Sequence, residues 1–170
     1  NIRTETMKVS NILKGNFQIE TNSLSTDLTY VDLKEMMPTI ISSKMKNFAD
    51  DFGRLKYNGA VRVTPKEVFV PKANLITGIG QAKITNFYLN DYSSALPKYR
   101  GFAEVNDLNT SFITKSKEVG LISGKFNLQG ESFDVNTMRL KTRSQISKIE
   151  ILNKEINTIY LDGFLDHKTY

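Results

Sequence analysis

Side chains able to do chemistry are few and scattered in this 170-residue chain. His167 is the only histidine and there is no cysteine, so neither a disulfide nor a zinc site of His/Cys type can be assembled. No serine lies in a G-x-S-x-G turn of the kind that presents a nucleophile to a His/Asp pair. Gly78-Ile79-Gly80-Gln81-Ala82-Lys83 begins like a dinucleotide fingerprint, but the third glycine is missing and the next residues alternate as a strand does. Gly120 with Gly124-Lys125 imitates a phosphate loop with too short a spacer, and Phe126 stands where a Ser or Thr would have to meet magnesium. Both glycine pairs read as strand bends or close-packing points. Asp50-Asp51 reads as the polar side of a helix end, and Asn109-Thr110-Ser111 has the pattern of a glycosylation sequon. The expectation is a protein that is not an enzyme and has no catalytic residue, cofactor or metal.

What remains is a pattern of apolar residues. Ile122, Gly124, Phe126 and Leu128 alternate with Ser123, Lys125, Asn127 and Gln129, which is the period-two signature of a half-buried strand. The same period runs through Leu55, Tyr57, Val61 and Val63, then Val68 and Val70, where Pro71 is expected to end the run. It returns at Ala82 and Ile84, at Tyr99, Ala103 and Val105, at Ile149 and Ile151, and, after a turn at Asn153-Lys154, at Ile159 and Leu161. Phe17 with Ile19, and Leu28 with Tyr30, fit two further strands. The sum is about ten strands joined mostly by short turns, hence antiparallel hairpins. Two stretches break the period: Asp32 to Met37, stopped by Pro38, and 43–52, which puts Met45, Phe48 and Phe52 on one helical face before Gly53. A weak internal echo matches Lys56-Tyr57-Asn58-Gly59 to Lys98-Tyr99-Arg100-Gly101.

The net charge of +5 comes from scattered residues. The local clusters, Lys44 with Lys46 and Arg139 with Lys141 and Arg143, alternate as an exposed strand face does, so nucleic acid is not an expected partner. No apolar run approaches the ~20 residues needed to cross a bilayer. Starting at Asn1 rather than Met, residues 1–170 read as a single β segment cut from a longer chain. Two architectures fit the alternation. One is a closed sandwich or barrel that buries its apolar face as an ordinary core. In that case the segment is a glycan- or protein-binding module, with Tyr88, Tyr92 and Tyr99 around the 90–97 loop, or a structural spacer. The other is a single curved sheet whose apolar side lies open to a ligand. An acyl chain suits such a face because sheltering it is worth ~0.8 kcal/mol per methylene, on the order of 10 kcal/mol in all, with no polar group required.

The spaced glycines and apolar residues resemble a known family. The run Lys98-Tyr99-Arg100-Gly101, Val105-Asn106-Asp107-Leu108, Gly120 to Gly130, Phe133, Leu140, Ile149 and Ile159-Tyr160-Leu161-Asp162-Gly163 is similar to the repeating β-rich region of the TamB (translocation and assembly module) family, within the wider AsmA-like group. Leu28-Thr29-Tyr30-Val31-Asp32-Leu33-Lys34-Glu35-Met36-Met37-Pro38, with Phe52-Gly53-Arg54-Leu55 and Asn58-Gly59, resembles the Bacteroidetes form of that region. The resemblance implies a mostly β fold: a long curved antiparallel sheet forming an open taco-like hydrophobic groove, with one or two short helices. It implies a periplasmic segment of an inner-membrane-anchored protein in a Gram-negative bacterium, serving lipid transport and outer-membrane biogenesis. The implied partners are phospholipid acyl chains and, through the parent protein, an outer-membrane barrel protein of the BamA/TamA type. The implied groove lining is Leu55, Tyr57, Val61, Val63, Val105, Ile122, Phe126, Leu128, Phe133, Val135, Ile149, Ile151, Ile159 and Leu161.

Overall fold

A computed structural model describes residues 2–11, 16–29, 31–32, 35, 53–111, 118–132 and 137–166. They form one antiparallel sheet of ten strands: β1 (Ile2–Thr4), β2 (Met7–Ser10), β3 (Gln18–Thr29), β4 (Arg54–Val63), β5 (Glu67–Thr77), β6 (Gly80–Asn90), β7 (Lys98–Asn109), β8 (Val119–Glu131), β9 (Arg139–Ile151) and β10 (Lys154–Asp166). From β3 to β10 every strand pairs with its neighbour in sequence, while β1 and β2 share the outer edge of β3. β10 and the β1/β2 edge stand at opposite ends of the strand order. The sheet is therefore open and not a closed barrel, and the described residues form one sheet where a sandwich needs two.

Several local expectations change. Ile19 and Leu28 belong to one strand, β3, interrupted by a register shift between Thr21 and Leu24. Pro71 does not end its strand. It sits inside β5 in a gap in the pairing between Val70 and Lys72, opposite Asn86, whose φ is 50°. A proline is admitted there because β5 bulges against β4 between Phe69 and Ala73, which leaves Pro71 without a ladder partner on either side and asks no hydrogen bond of its missing N–H. The last hairpin turns one residue earlier than expected, on Leu152 and Asn153, with φ of 51° and 61°. Two successive residues at positive φ are the mark of the tight hairpin turn whose twist matches that of the strands. Of the expected helices, Val31, Asp32 and Glu35 are helical, and the Asp32 carboxylate accepts the N–H and the hydroxyl of Thr29, both at 2.7 Å. The expected helix over 43–52 lies outside the described residues.

Register decides which residues share a face. Cross-strand partners point to the same side, so pairing spreads a two-residue period across the sheet. The buried strand residues Leu28, Val70, Ala73, Leu89, Tyr99, Val105 and Ile146 all fall on one side, together with the buried hydroxyls of Thr21, Thr26 and Ser144. The opposite side carries the charge. There Asp27 pairs with Arg54 at 2.7 Å, Arg143 with Asp162 at 2.9 Å and Lys148 with Glu155 at 3.2 Å, each bridging adjacent strands. The Arg54 guanidinium holds the Asp27 carboxyl below the usual carboxylate range, and the Lys148 ammonium does the same for Glu155. These pairs lie in water and are screened, so they favour one register more than they add stability.

Leu152 is 64% exposed and stands in the left-handed region that its Cβ disfavours. Replacing the turn with Asn-Gly, through Leu152→Asn and Asn153→Gly, is expected to stabilise the chain by about 1 kcal/mol. Urea unfolding measures this as a higher midpoint at unchanged slope.

Candidate functional site

The apolar side of the sheet is built from cross-strand rows. One row runs Ile2, Thr26, Tyr57, Leu75, Ala82, Val105, Gly124, Ile146, Ile159, from β1 to β10. At ~4.8 Å per strand it is about 38 Å long, more than twice the ~15 Å of one leaflet of a bilayer's hydrocarbon core. The next row passes Gly59, Ala73, Ile84, Ala103, Phe126, Ser144 and Leu161, and another pairs Ile19, Val63, Val68, Leu89, Tyr99, Gly130, Leu140 and Leu165. No Asp, Glu, Lys, Arg or His occurs in these rows. Their polar atoms are hydroxyls: Ser144 Oγ lies 2.6 Å from Thr142 Oγ1, the Tyr57 hydroxyl donates to the Ala60 carbonyl, and the buried Thr26 Oγ1 has no hydrogen-bond partner among the described residues.

Of the expected lining, Leu55, Tyr57, Val61 and Val63 lie on β4, Val105 on β7, Ile122, Phe126 and Leu128 on β8, Ile149 and Ile151 on β9, and Ile159 and Leu161 on β10. Register puts all twelve on the apolar side. Phe133 and Val135 lie outside the described residues. Lys125, Asn127 and Gln129 are exposed between the half-buried Phe126 and Leu128. Leu161, on the last strand, is 45% exposed.

Strict alternation misses other members of this face. Ile146 is 6% exposed and pairs with Gly124 and Ile159, whereas Ile149 pairs with Ile122 and Ile156. These two isoleucines are three apart and still share a side because β9 bulges between them. Val105 and Leu108 are related in the same way around Asp107, at φ 48°. The pattern Ile-x-x-Ile was visible in the sequence. What made it a bulge was the register of the neighbouring strands.

Glycines let strands approach under this face. A Cβ on Gly124 would stand 2.6 Å from the Gln145 carbonyl oxygen, so the apparent phosphate loop is a packing point within β8. The echoed Tyr-x-Gly segments play one structural role. Tyr57 and Tyr99 point to the apolar side, and the glycine two residues on lies against an adjacent strand, with a Gly101 Cβ only 2.8 Å from Phe87 Cα on β6. Burial pushes the Tyr57 phenol up to about 12, and its hydroxyl donates to the Ala60 carbonyl at 2.7 Å. Burial raises the Tyr99 phenol as well.

The tyrosine site of the rival binding module does not assemble. Tyr88 stacks on Phe69 on the charged side, Tyr99 is buried on the apolar side, and the Tyr92 hydroxyl donates to the Thr64 carbonyl at 3.0 Å. Gly78 and Ile79 form the β5–β6 turn, not a nucleotide loop. Among the described residues no three His, Cys, Asp or Glu side chains gather as metal ligands, and no helix is long and apolar enough to cross a membrane.

The geometry defines a class: a single-layer antiparallel β protein with one charged and one apolar side. The chain matches no family model, no curated protein and no solved structure.

A phenol raised by burial binds its proton more tightly in the folded state, so its contribution is complete below pH ~10 and is lost as pH rises through the folded value. Stability is therefore expected to fall between pH 10 and about 12. Tyr57→Phe should flatten that fall while leaving the melting temperature at pH 7 within a few degrees. Thermal melts across this pH range provide the measurement.

Proposed function

We propose that the apolar side of this sheet shelters acyl chains, and that the chain is a lipid-conducting segment of a TamB-like protein spanning the periplasm. The observation that carries this reading is an apolar stripe without formal charge that crosses the sheet from one edge to the other, with no second described sheet to cover it. An ordinary core fades towards the sheet edges. Here Ile2, Ile156, Leu161 and Leu165 keep the apolar character at the edge strands while 38% or more exposed. Water against this stripe is costly at ~25 cal/mol per Å2, and a hydrocarbon tail laid across the strands removes that cost for both partners.

Nothing in the stripe would hold a tail in one position. Contacts come from aliphatic and aromatic side chains of similar polarity, so a tail can slide from row to row without breaking hydrogen bonds. Slippage of this kind is what conduction requires and what a tight, specific pocket prevents. In the parent protein the segment would be one length of a route carrying phospholipid towards the outer membrane. The same bridge would support assembly of outer-membrane proteins through a barrel partner of the BamA/TamA type. The reading assigns no catalytic step.

The test is native mass spectrometry of the chain after expression in a lipid-rich host, with co-purified lipid extracted in parallel. Bound phospholipid is expected for the wild type and for Asn127→Asp, on the charged side. Phe126→Asp puts a charge in the middle of the stripe and should reduce retention at least about tenfold, since even a fraction of the cost of burying an unpaired carboxylate exceeds about 1.4 kcal/mol. Circular dichroism establishes that the variants are folded. A lipid-free wild type, or a folded Phe126→Asp that retains as much lipid as wild type, would overturn the proposal.

A further inference from the structure

The charged side contains a feature that the acyl-chain reading does not use. Arginines on β4 to β10 are paired with carboxylates: Arg54 with Asp27 at 2.7 Å, Arg62 with Glu67 at 3.1 Å, Arg139 with Asp166 at 3.7 Å and Arg143 with Asp162 at 2.9 Å. Arg100 is the exception, with no carboxylate partner among the described residues. Its guanidinium lies over the Tyr88 ring at 4.6 Å, Tyr88 stacks on Phe69 at 4.3 Å, and Arg62 lies over Phe69 at 5.0 Å. A guanidinium held in this way keeps its N–H edge unengaged and pre-oriented, the arrangement that favours bidentate contact with an oxyanion.

Register extends the site. Arg100 pairs with Gln129, Gln129 with Lys141, and Lys141 with Phe164. With strands ~4.8 Å apart, two cations flank an amide donor across about 10 Å, close enough for their long side chains to converge on one phosphodiester group. The row borders an open depression of about 550 Å3, whose lining adds Lys98 and Arg139 and contains one carboxylate, Glu131. Beside it, on the outermost strand, Phe164 and Tyr160 stand 67% and 74% exposed on the same side.

We infer that Arg100, Gln129 and Lys141 form a phosphate seat through which the charged side docks on an anionic phospholipid surface. Charge complementarity favours a phosphate-bearing partner. The exposed ring of Phe164 in its lining, with Tyr160 further along β10 on the same side, favours a membrane interface, where rings sit at headgroup depth beside basic residues. A nucleic acid strand would need open ring faces for its bases. Phe69 and Tyr88 occupy each other's inner faces and guanidiniums cover the outer ones, so Phe164 is the one open ring in this row, too few to stack successive bases. The site is independent of the apolar stripe, being on the other side of the sheet.

Co-sedimentation of the whole chain with vesicles tests the proposal. Vesicles of phosphatidylcholine containing about 30 mol % phosphatidylglycerol should bind the chain at low salt and release it near 1 M, where screening reduces the Debye length to ~3 Å. Arg100→Gln with Lys141→Gln should weaken binding roughly twenty-five-fold, about fivefold per cation near the surface. Lys56→Gln with Lys72→Gln, on the same side but away from the depression, should weaken it less than the first pair. Phe126→Asp should keep the preference for phosphatidylglycerol vesicles over pure phosphatidylcholine, which separates this site from the acyl-chain reading. Equal binding to pure phosphatidylcholine vesicles, an unchanged Arg100/Lys141 variant, or an equal loss from the Lys56/Lys72 pair would each overturn the proposal. So would tighter binding to single-stranded DNA than to the anionic vesicles at the same salt.

Discussion

Phase is the constraint on which this structure depends. A sheet with one apolar and one charged side must keep ten strands in register, because a slip of one residue sends every side chain to the wrong face. A two-layer protein can absorb a local error against its second layer. A single layer has only in-plane neighbours to cover an apolar residue, so each strand is held in phase by the one before and the one after.

Bulges relax this constraint without breaking it. The chain departs from period two at Pro71 and Asn86, at Asp107, and at Ser147 opposite Thr158, and each departure restores the apolar side beyond it. Asparagine and aspartate tolerate the left-handed conformation that such extra residues adopt, so Asn86 and Asp107 suit their positions. Thr158, at φ 57°, is the less comfortable case, because its branched Cβ opposes that conformation. Bulges also bend and twist the strands that contain them.

The two faces divide the chemistry. On the charged side, cross-strand ion pairs and the stacked Arg62–Phe69–Tyr88–Arg100 row tie strands together with directional contacts. On the apolar side, contacts are non-directional, and some of the hydroxyls that interrupt it turn to one another. An acyl-chain path needs the second kind of surface and a rigid support needs the first. A thin sheet can supply both, since strand geometry sends alternate side chains to opposite faces.

Much of the architecture was legible in the sequence by itself. Alternation at Leu55 to Val63 and at Ile122 to Leu128 was enough to determine the strands, their antiparallel succession and which side of each is apolar, because a period of two needs only local information. The lone histidine and missing cysteine settled at the same level that no site of zinc-finger type can exist. Tertiary structure alone decided that the described strands form one open sheet and not two layers, that Pro71 lies within a strand, that Ile146 joins Ile149 on one face, and that Arg100 alone of the arginines on β4 to β10 has no carboxylate partner among the described residues. Each of these turns on which residue stands opposite which. That is a property of pairing between distant segments, and no local periodicity encodes it.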